Sequence, residues 1–128
     1  MPLLAMMYPR GENIKDPHDP EVVAHAARIG VECGADIVKT VYTGDVDTFA
    51  KVVSSIPVPV VIAGGAKMAT DIDVLQMTED AMTAGAKGVT FGRNIFAHKT
   101  PHKMVEALAG VIFKKQTAKE AAEKIGQE

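Results

Sequence analysis

The chain has 128 residues, of which 47% are apolar, and its formal net charge at pH 7 is -2. This length is sufficient for one modest domain with a buried core. Lysines and arginines are scattered along the chain, which argues against a nucleic-acid partner. No apolar run reaches the roughly 18 residues that a membrane-spanning helix needs, so we expect no membrane partner.

Cysteine, histidine and methionine positions limit the chemistry further. The single cysteine, Cys33, excludes an internal disulfide and favours a reducing, cytoplasmic location. We expect it to be a small buried side chain at a helix end. The four histidines lack metal-ligand spacing, so surface or capping roles are expected and no metal site is predicted. The methionines are expected to fill gaps in the core, among them Met6, Met7, Met68 and Met77.

Four short apolar runs predict β-strands. Each is too short for a helix and is bounded by glycine, proline or polar residues. Their nearly continuous apolar character is typical of parallel strands that are buried on both faces. The predicted strands span residues 3–7, 36–40, 59–63 and 88–92.

A helical pattern follows each predicted strand. Asp19, Asp45 and Thr70 are candidate N-caps of the first three helices. A further short helix, amphipathic and charged, begins at Thr117, which has capping-box spacing with Glu120. The four main helical patterns span residues 20–33, 46–55, 71–84 and 101–114.

The resulting βαβαβαβα order requires an α/β fold with a parallel sheet and right-handed crossovers. Units of about 30 residues occur both in doubly wound sheets and in barrels. A (β/α)8 TIM barrel needs eight units and about 250 residues, so four units would form half of one. In that case the other half would come from a second copy, a separate chain or sequence outside this one.

Chemically unusual residues stand at the ends of the predicted strands, where the sites of parallel α/β folds gather. Lys39 closes an apolar strand and shares a face with Ile37. Apolar surroundings favour the neutral amine, the nucleophile that forms a Schiff base with a carbonyl. Tyr8 ends the preceding strand and could serve as general acid or base. The alternatives are a solvated or salt-bridged lysine and a tyrosine that packs a turn.

Glycines follow the last two predicted strands, at Gly64, Gly65 and Gly92. Glycine lets backbone N–H groups approach an anion closely, and the loops after the last two strands of a barrel often bind phosphate. Arg93 could add a charge-assisted hydrogen bond, and Lys67 stands nearby in the chain. We therefore predict a phosphate site, with ordinary turn glycines as the alternative.

Five segments, in this order and spacing, resemble the archaeal-type class I aldolases. They are MMYPRG at 6–11, GADIVKT at 34–40, YTGD at 42–45, AGG at 63–65 and GRNIF at 92–96. This family includes fructose-bisphosphate aldolase and 2-amino-3,7-dideoxy-D-threo-hept-6-ulosonate synthase. The resemblance implies that residues 1–128 form the C-terminal half of a TIM barrel, with a short helix at the end. Family members carry four more βα units upstream, including an acidic residue that helps proton transfer.

The resemblance also implies a role for individual residues. Lys39 aligns with the Schiff-base lysine and Tyr8 with the tyrosine that acts as its acid/base partner. The two glycine loops align with the phosphate-binding loops, and residues 42–45 are expected to shape the pocket floor. Residues 66–68, AKM, stand where Pro-Lys-Thr is usual. The expected phosphate-binding set is Gly64, Gly65, Lys67, Gly92 and Arg93.

Three functions are compatible with these residues. Residues 6–8 and 36–40 look closer to the synthase, which transfers a three-carbon fragment from a phosphorylated ketose in aromatic amino-acid biosynthesis. Fructose-bisphosphate aldolase, an enzyme of glycolysis and gluconeogenesis, shares the lysine, the tyrosine and the phosphate loops. Neither activity needs a cofactor, because the iminium is the electron sink. The third possibility is a non-catalytic half-barrel, completed in a homo-oligomer or by a complementary N-terminal half.

Overall fold

The computed structural model describes residues 1–126 and contains one four-stranded parallel sheet. The strands are β1 (Leu4–Met6), β2 (Ile37–Thr40), β3 (Val60–Ala63) and β4 (Gly88–Thr90). The spatial order β1-β2-β3-β4 follows the chain, and all three pairings are parallel. The helices are α1 (Pro20–Glu32), α2 (Val46–Ser54), α3 (Asp71–Thr83), α4 (Arg93–Phe96), α5 (Pro101–Lys114) and α6 (Ala118–Gly126). The predicted succession of four βα units is confirmed.

Side-chain capping fixes where several helices begin. Asp45 accepts a hydrogen bond from the backbone N–H of Thr48 at 2.9 Å, which starts α2. At α6, Thr117 and Glu120 exchange side-chain and backbone hydrogen bonds of 3.2 and 2.8 Å, so the predicted capping box is confirmed. These backbone N–H groups hold the pKa of the Asp45 and Glu120 carboxyls below the usual range.

The two faces of the sheet differ because side chains alternate along each strand. Val38 and Thr40 of β2 and Val60 and Ile62 of β3 are buried against the helices. The intervening residues, including Lys39, are only half-buried on the opposite face. Strands β1 and β4 are the two edges of the sheet. The sheet thus has one packed face and one open face.

The region of β4 and α4 differs from the sequence prediction. The predicted fourth strand ends early, at Thr90, because Phe91 turns into the core and Gly92 leaves the extended conformation to begin α4. Helix α6 has one buried face, as its predicted amphipathic character requires. Ala118 and Ala121 are fully buried, and α6 packs against α3 and α5. None of the helices within residues 1–126 is both long and apolar enough to cross a bilayer.

Two expectations about burial were wrong. Cys33 is exposed, because it follows the last turn of α1 as its C-cap. Met6 is 65% exposed, because it lies on the open face of the edge strand β1. Of the methionines named above, Met7, Met68 and Met77 are partly buried against the core as expected.

The core between sheet and helices contains an edge-to-face aromatic pair. The rings of Tyr42 and Phe49 are 5.3 Å apart with an interplanar angle of 84°. Phe49 is fully buried, whereas the Tyr42 hydroxyl is buried without a hydrogen-bond partner among the described residues. Burial, with added repulsion from the carboxylates of Asp80 and Asp45, raises the pKa of Tyr42 to about 12.

We expect Phe49→Ala to lower the free energy of unfolding by about 3–5 kcal/mol, because it removes a buried ring and leaves a cavity. Phe113→Ala is the matched control. Its ring is 80% exposed, so the change should stay within about 0.5 kcal/mol. Urea unfolding followed by circular dichroism measures both. Equal effects of the two variants would contradict this description of the core.

Tyr42→Phe should reduce the loss of stability at alkaline pH. The pKa of Tyr42 is higher in the folded chain than the ordinary value near 10, so ionisation favours the unfolded chain between about pH 10 and 12. The phenylalanine variant lacks this group, and its free energy of unfolding should fall less over that interval. Tyr8→Phe is the control, because it retains Tyr42. If the free energy of unfolding of Tyr42→Phe fell as much as that of the wild type over this pH interval, the burial of the hydroxyl would be contradicted.

Candidate active site

A cleft of about 620 Å³ opens at the C-terminal ends of the strands. Its walls are the loop after β1, the ends of β2 and β3, and the loops after β3 and β4. All of the catalytic and phosphate-binding residues expected from the sequence line this cleft except Lys67. The lining residues from that set are Tyr8, Lys39, Gly64, Gly65, Gly92 and Arg93.

Lys39 reaches the cleft because of its position in β2. Its neighbours Val38 and Thr40 point into the helix-covered core, so alternation directs Lys39 to the other face. Lys39 pairs with Met6 of β1 on one side and with Val61 of β3 on the other. Its side chain is therefore flanked by strands on both sides and half-buried.

The loop after β1 brings Tyr8 to the same cleft. The backbone N–H of Met7 donates to the carbonyl oxygen of Lys39 at 2.8 Å, which keeps the start of this loop against β2. The guanidinium carbon of Arg10 lies 5.8 Å from the centroid of the Tyr8 ring, within the range of a cation–π contact. Both side chains line the cleft.

Asn94 holds the two glycine loops together. It is 3% exposed, and its side-chain amide donates to the carbonyl oxygens of Gly64 at 3.0 Å and Ala66 at 3.3 Å. Its side-chain oxygen accepts from the backbone N–H of Met68 at 2.8 Å. Three hydrogen bonds from one buried side chain thus fix the loop after β3 against the beginning of α4. The sequence motif contained Asn94, but its linking role was not predicted.

Glycine is required at Gly64 by the close approach of these loops. A Cβ atom there would lie 2.8 Å from the Cδ1 of Phe91 and 2.9 Å from the Nδ2 of Asn94. The next residue, Gly65, has a φ of 66°, which favours glycine. The expectation that the two glycine sites lie together is therefore met by the geometry.

The cleft has a cationic lining. Arg10, Lys39 and Arg93 contribute side chains, and the described lining residues include no aspartate or glutamate. Within residues 1–126, no group of three or more His, Cys, Asp and Glu side chains could hold a metal ion. The arrangement is suited to an anionic ligand.

Two sequence expectations are not met by the geometry. The ammonium of Lys67 donates to the carbonyl oxygen of Ala97 at 2.7 Å, and Lys67 does not line the cleft. None of residues 42–45, expected at the pocket floor, lines the cleft: Tyr42 belongs to the helix-side core, and Val41 lines the cleft in its place. The reason for the second difference is strand alternation, which turns Tyr42 away from the open face.

The cleft also contains polar side chains to which the sequence analysis gave no site role. They are Arg10, His18 and Thr90. Arg10 lies inside a segment that was already singled out, so that motif could have signalled it. His18 had no comparable signal, because it lies in a loop that approaches the strand ends only in the folded chain. Thr90 donates to the carbonyl oxygen of Ile62 at 3.0 Å at the end of β4.

Comparison with known proteins places these features in a family. The chain is 45% identical over 117 residues to 2-amino-4,5-dihydroxy-6-oxo-7-(phosphonooxy)heptanoate synthase of Streptomyces griseus, which covers 91% of this chain and 43% of that protein. It is 46% identical over 112 residues to 2-amino-3,7-dideoxy-D-threo-hept-6-ulosonate synthase of Halobacterium salinarum, covering 88% and 42% respectively.

A solved structure of a Schiff-base-forming fructose-1,6-bisphosphate aldolase superimposes with a TM-score of 0.85 at 40% identity. The match covers 88% of this chain and 46% of that one. The chain thus spans less than half the length of these relatives, and its four βα units correspond to half of a TIM barrel. The profile of the DeoC/LacD family aldolases matches residues 1–98. The chain belongs to the DeoC/LacD family of aldolases.

Proposed function

We propose that this chain carries the Schiff-base portion of a class I aldolase site, with Lys39 as the nucleophile toward the ketone of a phosphorylated ketose. The observation that carries the proposal is the convergence of Lys39, Tyr8 and the two glycine loops on one cationic cleft. Each of these features alone has an ordinary structural explanation. Their meeting at the C-terminal strand ends is what a carbonyl substrate with an anionic group would need.

The proposed chemistry begins when the neutral Lys39 amine adds to the ketone carbon, a proton is taken up from solvent and water leaves, which gives an iminium. The iminium accepts the electron pair of the neighbouring carbon–carbon bond as that bond breaks, and an enamine forms. In the same step Tyr8 takes the proton from the hydroxyl that becomes the aldehyde carbonyl. In the reverse direction the enamine attacks an aldehyde acceptor, and Tyr8 returns the proton. No metal or cofactor takes part in this sequence.

The phosphate of the substrate would bind between the two glycine loops. Gly64 and Gly65 allow close approach of the backbone, and Arg93 adds a charge-assisted hydrogen bond. Asn94 keeps the loops at a fixed separation, so the binding energy can serve to position the ketone against Lys39. Lys67 is not part of this proposal, because its ammonium already binds a carbonyl oxygen.

Among the family's reactions, we favour that of 2-amino-3,7-dideoxy-D-threo-hept-6-ulosonate synthase, which belongs to aromatic amino-acid biosynthesis. Support comes from the sequences at 6–8 and 36–40 and from relatives of 45% and 46% identity that carry synthase names. Fructose-bisphosphate aldolase is the second candidate, favoured by the superposition on a solved aldolase. A cytoplasmic location, suggested by the single cysteine, belongs to the same proposal.

A non-catalytic half-barrel is the third candidate, and the open face of the sheet favours it. Leu4 and Met6 are 39% and 65% exposed on this face, and β1 and β4 each offer an unpaired edge. A second copy of the chain, or a complementary N-terminal half-barrel, would cover these surfaces. This candidate keeps the phosphate site and lacks the Schiff base, so trapping of the lysine separates it from the enzymes.

Borohydride reduction in the presence of dihydroxyacetone phosphate should attach the ligand covalently to Lys39, because only an iminium is reduced to a stable amine. Mass spectrometry of the digested protein locates the adduct. Lys39→Ala should abolish it, and the matched control Lys67→Ala should retain it. Circular dichroism confirms that each variant is folded. A folded wild-type chain without an adduct, or an adduct that persists in Lys39→Ala, would contradict the proposal.

Arg93→Ala should weaken binding of inorganic phosphate by about tenfold or more, the loss expected for one hydrogen bond to a charged group. Lys67→Ala is the control and should change the affinity by less than about twofold, because its ammonium is held by Ala97. Isothermal titration calorimetry measures both. A larger loss of phosphate affinity in Lys67→Ala than in Arg93→Ala would assign the phosphate to Lys67 and contradict the phosphate site proposed here.

A further inference from the structure

The loop between β1 and α1 carries a histidine that the proposed mechanism does not use. His18 lines the cleft together with Lys39 and Tyr8. Two hydrogen bonds hold it in place. Its backbone N–H donates to the Oδ1 of Asp16 at 2.8 Å, and its ring Nδ1 lies 2.9 Å from the carbonyl oxygen of Tyr42. His18 is therefore bonded to the segment that follows β2, the strand that contains Lys39.

The bond to Tyr42 determines which ring nitrogen of His18 carries the hydrogen. A carbonyl oxygen can only accept, so Nδ1 must be the donor. In the neutral imidazole the other nitrogen, Nε2, then has a free lone pair and is an acceptor. Within residues 1–126, Nε2 has no hydrogen-bond partner. In its neutral form the ring thus offers an acceptor that is available to a ligand.

Such an acceptor complements the hydrogen-bond donors of the cleft. The Lys39 nitrogen is bonded to the substrate in the proposed mechanism, and the guanidinium groups of Arg10 and Arg93 can only donate hydrogen bonds. They suit a phosphate, but the hydroxyl groups of a ketose also need acceptors for their hydrogens. The Tyr8 hydroxyl is engaged in proton transfer in the proposed mechanism. Besides the Thr90 hydroxyl, which is bonded to the carbonyl oxygen of Ile62, His18 is then a lining side chain that can accept from a further hydroxyl without adding negative charge beside the phosphate.

We propose that the Nε2 of His18 accepts a hydrogen bond from a free hydroxyl group of the phosphorylated ketose, and so selects for hydroxylated ligands. This inference rests on the proposed function, since it assigns a substrate contact within the same cleft. The bond to Tyr42 fixes the ring orientation relative to β2, because Tyr42 follows Lys39 by three residues. Because the ring is already oriented before the ligand binds, little conformational entropy is lost on binding.

The test compares two ligands and one variant. Fructose 1-phosphate and hydroxyacetone phosphate share a ketone and a phosphate, but only the first has free hydroxyl groups. His18→Asn retains a side-chain amide that can donate to the Tyr42 carbonyl and lacks any atom at the Nε2 position. We expect the variant to bind fructose 1-phosphate about five- to tenfold more weakly, as for one lost hydrogen bond, with unchanged affinity for hydroxyacetone phosphate.

A long-range proton–nitrogen NMR spectrum of the wild-type chain provides an independent readout that needs no variant. It should show the hydrogen of the His18 ring on Nδ1. A ring protonated only on Nε2 overturns the inference, and so does equal affinity of wild type and His18→Asn for fructose 1-phosphate. In the latter case retained Lys39 trapping leaves the proposed function intact. A wild-type chain that binds neither ligand and forms no borohydride adduct overturns both proposals.

Discussion

The parallel register of the four strands is the constraint on which the site depends. It brings the carboxyl end of every strand to the same edge of the sheet, so the loops after β1, β3 and β4 meet around the end of β2. Alternation within β2 then decides the direction of Lys39. A slip of one residue would turn Lys39 into the apolar core and Val38 toward the cleft, with the cost of burying a charge.

The second requirement is a rigid separation between the two glycine loops. Buried Asn94 lies in α4, directly after β4, and bonds to the loop after β3, so the loops cannot move independently. Gly64 permits this contact because any side chain would collide with Phe91. The result is a preformed anion site whose cations have no acidic neighbours in the lining, which leaves their charge available to a ligand.

Local sequence signals were sufficient for most of the fold. Apolar runs and N-caps are short-range features, and they predicted the four strands, the five longer helices and the capping box at Thr117. The errors arose where long-range packing decides. Helix α4 forms because Phe91 enters the core, and Met6 is exposed because its strand is a sheet edge. Neither condition is visible in a window of neighbouring residues.

The sequence by itself determined which residues could carry chemistry, because strand-end position and residue type singled out Lys39, Tyr8 and the glycine loops. Only the tertiary structure decided which of them share a cleft. It turned Lys67 to the carbonyl oxygen of Ala97 and brought His18 to the strand ends. Contacts between loops distant in sequence depend on how the strands are spaced and how loop backbones turn, and these quantities follow from the packing of the whole sheet against its helices.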